Sequence, residues 1–185
     1  EVTGIEVEAG RVTGVQTNRG RVSAGCVVQA VAGHSAELAQ LAGFQMPIVA
    51  YPLQAMVTQP VKPFLNPLVS SSALHCYVQQ TSRGEIVFGG GSDPYPLYGT
   101  RSTLDLKESL MASAVEMFPF MSEMRLMRQW AGITDMTSDY SPIMGRSPIE
   151  NYYVDAGWGT WGFKATPISG VTMAQLIASG GKVPE

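Results

Sequence analysis

One run near the C-terminus carries residue types and spacing that could do chemistry: Gly157, Trp158, Gly159, Thr160, Trp161, Gly162, Phe163, Lys164, Ala165, Thr166 and Pro167. Three glycines in six residues let backbone approach a ligand closely or take positive φ. A helix predicted over roughly 169–178 would present free N–H groups and a partial positive charge just downstream. Lys164 adds a full charge beside it. The combination suits a phosphate, a carboxylate or the electron-rich edge of a reduced flavin. A glycine-rich strand-to-helix turn without a ligand has the same pattern.

Little else in the chain offers reactive chemistry. His34 and His75 are the only histidines, which excludes a multi-histidine metal site and argues against a Ser-His-Asp triad. His34 reads as a structural residue of a strand-to-helix turn. Cys26 and Cys76 lie far apart, each in an apolar strand-like run where buried free thiols are common. Neither a disulfide framework nor a metal-binding cysteine pair is present, so a reducing, cytoplasmic compartment is expected. The net charge of −3 gives no electrostatic case for nucleic acid or an anionic membrane surface. No apolar run approaches the ~18 residues that span a bilayer. The chain starts without Met, without a signal peptide and already in a strand pattern, and reads as a fragment of a longer protein.

The elements that must position the run follow from hydrophobic periodicity. Residues 1–8, 12–17 and 22–25 alternate polar and apolar, with turns at Ala9-Gly10-Arg11 and Asn18-Arg19-Gly20-Arg21, and predict an antiparallel meander. Residues 26–33 are apolar almost throughout, as in a strand covered on both faces. Ser35 is placed to cap a short helix over 36–42. A second sheet opens at 50–59 and continues as a hairpin, 74–80 and 85–91, through Thr81-Ser82-Arg83-Gly84. The loop 92–102, with two prolines and two tyrosines, is long enough for a lid or contact surface. Residues 104–118 show helical spacing stopped by Pro119. Residues 124–133 read as a strand, 134–140 as a polar connection, 141–145 as extended, and 151–155 as the final strand before the glycine run.

Five pieces, in this order and spacing, resemble the C-terminal half of flavin-dependent amine oxidases of the D-amino-acid-oxidase type. They are the meander, Ala32-Gly33-His34-Ser35, Trp130-Ala131-Gly132, Ser141-Pro142-Ile143-Met144-Gly145, and Gly157 through Lys164. The last piece is similar to the beta subunits of heterotetrameric sarcosine oxidases. The resemblance implies a mixed α/β fold: part of a Rossmann-type FAD-binding domain (1–44 and 146–185) interleaved with a mixed-sheet substrate domain (45–145). The family's dinucleotide-binding turn would lie in an N-terminal half outside this chain.

The implied activity is oxidative demethylation of sarcosine, with electrons passing through FAD and then FMN to oxygen, and tetrahydrofolate taking the one-carbon unit in the whole complex. The implied partners are the small amine substrate and the other sarcosine oxidase subunits. FMN attachment is expected at a histidine upstream of Glu1, which neither His34 nor His75 matches. Val2 corresponds to the strand residue whose backbone meets the adenine of FAD. Gly159 and Gly162 correspond to backbone contacts to the isoalloxazine, and Lys164 to the lysine beside flavin and substrate carboxylate. Trp161 stands where the family usually has glycine, narrowing the space over the flavin or turning aside. Gly132 stands near the cysteine that attaches FAD in monomeric relatives, so noncovalent FAD is expected. Alternatives remain: a related flavoenzyme acting on dimethylglycine, glycine or another amine, or a non-catalytic truncated fold. The fragment by itself is expected to be inactive.

Overall fold

The computed structural model describes residues 1–180 and divides into two compact units, Glu1–Ala50 with Thr134–Glu185, and Tyr51–Ile133. The expected FAD-domain segment 146–185 thus extends past the described residues by its last five positions, which lie outside them.

In the first unit, β1 (Val2–Glu8), β2 (Arg11–Thr17) and β3 (Gly20–Ser23) form the antiparallel meander. The β1–β2 turn takes positive φ at both Ala9 and Gly10, the geometry whose twist matches two antiparallel strands. A second sheet has the order β10-β11-β4: β10 (Ile143–Arg146) runs antiparallel to β11 (Tyr152–Ala156), which runs parallel to β4 (Val27–Gln29). Both faces of β11 are covered. Tyr152, Val154 and Ala156 join a core with Val12, Ala42 and Ile48, while Tyr153 packs with Met173 and Leu176 of the last helix, α3 (Gly162–Ala178). At the centre the Tyr152 hydroxyl donates to Gln29 Oε1 (2.7 Å), and Gln29 Nε2 donates to the Ser35 carbonyl (2.7 Å). All three residues are fully buried, so each polar atom in the chain needs its partner.

The second unit centres on a five-stranded sheet of order β6-β7-β8-β5-β9. The strands are β5 (Ile48–Pro60), β6 (Val69–Ser71), β7 (Cys76–Gln80), β8 (Glu85–Ser92) and β9 (Leu126–Thr137). The helix α2 (Leu104–Met117) lays Leu110 and Ala114 onto Met56, Val78, Ile86 and Phe88. The loop after β8 is closed at its neck. Asp93 accepts from Gln54 (2.6 Å) and Thr103 (2.6 Å), and the Thr103 amide donates to Gln54 (3.1 Å).

Four local expectations need correction. The apolar run 26–33 yields only the three-residue β4; Cys26 and Val28 are exposed, and Ala32–His34 forms a 3-10 turn entered through a positive φ at Ala32. Apolarity there marked a segment with one covered face. Ser35 is not a cap: it is the first residue of α1 (Ser35–Leu41), with its hydroxyl buried and unpartnered. Residues 134–137 are not a connection, because β9 continues through them with Thr134, Asp135 and Thr137 buried. Helix α3 begins at Gly162, not near 169. Pro167 lies inside α3: one proline removes a single ladder bond, and the helix runs through it.

Candidate functional site

The glycine run connects β11 to α3 inside the first unit. Gly157 takes φ +77°, and a Cβ there would stand 2.7 Å from Thr137 Cγ2. Gly159 takes φ +52°, and its Cβ would stand 2.8 Å from Met136 Sδ. Both positions therefore demand glycine on conformation and on space. The Trp161 amide then donates to the Trp158 carbonyl (2.8 Å) and the Lys164 amide to the Trp161 carbonyl (3.2 Å), winding the chain into α3.

Three expected site residues come together here. Gly159 ends the left-handed turn, Gly162 opens α3, and Lys164 lies in that helix's first turn. Trp161 is the N-cap, and no side chain caps the helix. The positive end of α3 is thus left open with an ammonium beside it, a place that attracts an anion. Lys164 Nζ stands 4.6 Å from the Trp161 ring centroid, a cation–π contact. Trp161 is 57% exposed and Phe163 94%, so aromatic surface flanks the open helix end. Val2 lies elsewhere. It begins β1 and lines a cavity of about 680 Å³ with Glu1, Val31, His34, Glu37 and Leu41, none of them from the glycine run. His34 Nδ1 lies 2.6 Å from Glu37 Oε2 at this cavity.

Sequence reasoning missed two features. The glycines fall as Gly-x-Gly-x-x-Gly between a strand and a helix, which is the spacing of a dinucleotide-binding fingerprint. The second is Asp135 on β9, 3% exposed. Its Oδ2 accepts the Gly157 amide (2.5 Å) and its Oδ1 the Gly159 amide (3.1 Å), while its own carbonyl shares the Gly159 amide (3.1 Å). In a dinucleotide site such amides face pyrophosphate. Here an internal carboxylate takes them, and its charge would repel a phosphate. The fingerprint spacing therefore does not make a pyrophosphate cradle. A buried-side anion faces Gly157 and Gly159, and Thr160, Trp161 and Gly162 are the part of the turn left for a ligand. No sequence signal pointed to this contact, because Asp135 and Gly157 are brought together only by the fold.

Other groups are chemically quiet. Burial raises the thiols of Cys26 and Cys76, which disfavours reactive thiolates. Among the described residues no three His, Cys, Asp or Glu side chains cluster to hold a metal, and no helix is long and apolar enough to cross a membrane.

A family model described as FAD dependent oxidoreductase (DAO) matches residues 1–176. Sarcosine oxidase subunit beta from Rhodobacter capsulatus is 45% identical over 180 residues, 97% of this chain and 44% of its own length. The subunit of the same description from Arthrobacter is 48% identical over 179 residues, again 97% and 44%. The solved L-proline dehydrogenase from P. horikoshii superposes with a TM-score of 0.91 at 32% identity, covering 98% of this chain and 50% of that one. Glycine oxidase from Geobacillus kaustophilus shares the fold, with a TM-score of 0.87 at 23% identity over 97% of this chain and 48% of its own. The chain thus spans about half the length of the relatives it matches.

Proposed function

The chain belongs to the DAO family of FAD dependent oxidoreductases, and from that premise we propose that it is the C-terminal part of a flavin-dependent amine oxidase subunit that demethylates sarcosine. Identity of 45–48% to two sarcosine oxidase beta subunits supports the substrate. The observation that carries the chemistry is Lys164 in the first turn of α3, whose N-terminus no side chain caps. FAD fits this donor set: the open amides and the ammonium favour negative charge on a reduced ring, and the flanking indole and phenyl groups offer apolar surface.

When bound, FAD supplies the acceptor for a hydride equivalent from the substrate's N-methyl carbon. The chain's own residues bind and orient. Lys164 holds the sarcosine carboxylate by a charge-assisted contact, which fixes the methyl group's direction. Gly162 lets backbone meet the isoalloxazine, Gly159, whose amide Asp135 takes, shapes the turn before it, and Val2 offers backbone to the adenine at its cavity. Loss of hydride leaves an imine, which water cleaves to glycine and formaldehyde or whose carbon passes to tetrahydrofolate. On this reading the first unit is the FAD-binding part and the second the substrate part. FAD is noncovalent, FMN belongs to a subunit interface formed upstream of these residues, other sarcosine oxidase subunits are the partners, and the enzyme is cytoplasmic.

A second substrate is favoured by one observation. The 32% identity and TM-score of 0.91 with an L-proline dehydrogenase support a cyclic secondary amino acid. Sarcosine and proline share a carboxylate one carbon from a secondary amine, so Lys164 would serve both. The full-length protein, purified and supplied with sarcosine, dimethylglycine, glycine and L-proline in turn, separates them. A yellow protein with kcat/KM highest for sarcosine is expected. Preference for L-proline would move the assignment to the second reading, and a colourless protein that takes up no FAD would refute both.

A further inference from the structure

We propose that Asp135 is the positioning residue of the flavin-facing turn: its buried carboxylate holds Gly157 and Gly159 in left-handed conformation, so that Thr160 to Gly162 present their backbone to the ring. The inference rests on the flavin reading above. Its own evidence is geometric. Asp135 is 3% exposed and accepts the Gly157 amide at 2.5 Å and the Gly159 amide at 3.1 Å, one on each oxygen. Two backbone amides converging on one anion form a concave nest of the kind that binds external anions. In this turn the anion is built in, supplied by the neighbouring β9.

Three consequences follow from the chemistry. Charge-assisted bonds to a carboxylate are about twice as strong as neutral ones, so the turn is fixed before any ligand arrives. Both glycines have positive φ, which glycine adopts without steric cost but as one of many conformations, so the carboxylate selects it and offsets the lost freedom. The Trp158 indole is fixed as well, its Nε1 donating to Asp155 Oδ1 at 2.5 Å, and a Cβ on Gly162 would touch Trp158 Cβ at 3.2 Å. The path from Asp135 through Gly157, Trp158 and Gly159 to the start of α3 is therefore continuous, and Lys164 inherits its place from it. Asp135 acts on flavin and substrate through this turn and touches neither.

Asp135→Asn tests the inference in the full-length, FAD-loaded protein. The amide keeps the size and one acceptor oxygen but turns an N–H₂ toward one of the two glycine amides. Three quantities are read: the FAD dissociation constant, the flavin-reduction rate at saturating sarcosine, and the thermal midpoint. Expected are an FAD dissociation constant raised about 10-fold or more and a reduction rate lowered about 10-fold or more, the size of one lost charge-assisted bond. A lowered thermal midpoint with FAD affinity and reduction rate both unchanged would overturn the inference, leaving Asp135 with folding alone. Should Asp135→Asn not fold, Asp135→Ser, which is smaller and keeps a hydroxyl acceptor, is read by the same criteria, and failure of both to bind FAD after folding at low temperature counts for it only if Asp139→Asn, an exposed carboxylate in the turn that follows β9, binds normally. Wild-type protein without flavin would overturn the function and this inference together; a flavin-bearing wild type with an indifferent Asp135→Asn would overturn this inference alone.

Discussion

At the scale of single residues, the buried polar groups Gln29, Tyr152 and Asp135 each have a defined partner. Tyr152 is the case with a pH signature. Burial pushes its phenol from the ordinary 10.0 up to about 12. The folded state therefore holds this proton more tightly than the unfolded chain. Its stabilising contribution is complete below pH 10 and is lost as pH rises from 10 toward about 12. Removing the hydroxyl tests the same contact from the other side. Tyr152→Phe leaves Gln29 Oε1 buried without its donor, an expected loss of about 1–3 kcal/mol by denaturant unfolding, together with disappearance of the alkaline loss due to this group. An unchanged midpoint would show that Gln29 finds another donor. Lys164 stood out in the sequence because a lysine at a helix start opposes the helix dipole, and the structure puts it in the first turn of α3. Asp135 was not, since a polar stretch over 134–137 reads as a connection until the amides of Gly157 and Gly159 are seen to satisfy its carboxylate.

At the scale of elements, the β11–α3 junction decides what the site can be. The strand, the glycine run and the helix were each readable, but the helix start was misplaced by seven residues, at 169 instead of 162. The consequence is large: Lys164 is not before the helix but in its first turn. The junction's glycines should differ in tolerance. Gly159→Ala forces a left-handed alanine at φ +52° and crowds Met136, an expected cost of about 1–2 kcal/mol with weakened FAD binding. Gly162→Ala sits at a helical position with only a 3.2 Å contact to Trp158 Cβ, and a helix gains from alanine, so its cost should be smaller. Thermal melts and flavin titration of the two variants check the order; a more damaging Gly162→Ala would mean that the Trp158 contact governs the turn. The buried strand pattern of 26–33 misled for a related reason. Apolar composition cannot distinguish a strand covered on two faces from a short one with an exposed side, and Val28 shows the latter.

At the scale of the whole molecule, the chain divides into two compact units, and the order of short motifs along it made the family legible where composition made nothing legible. A net charge of −3 and ordinary apolar content fit many soluble enzymes, whereas the succession of Trp130-Ala131-Gly132, Ser141 to Gly145 and Gly157 to Lys164 fits few. The fold brings Gly159, Gly162, Lys164 and Asp135 to one junction. On the proposed function this junction binds a flavin and directs an amino acid carboxylate to it through Lys164. The most direct measurement is anaerobic stopped-flow reduction of the flavin by sarcosine, in the full-length wild type and in Lys164→Met. The account predicts bleaching of the oxidised flavin band in the wild type, and in the variant a value of the reduction rate over apparent dissociation constant lower by about 10- to 100-fold, the worth of one charge-assisted hydrogen bond of ~1.5–3 kcal/mol. A wild-type flavin that sarcosine and proline both leave oxidised, or a Lys164→Met variant reduced as fast and at the same concentrations as the wild type, would contradict it.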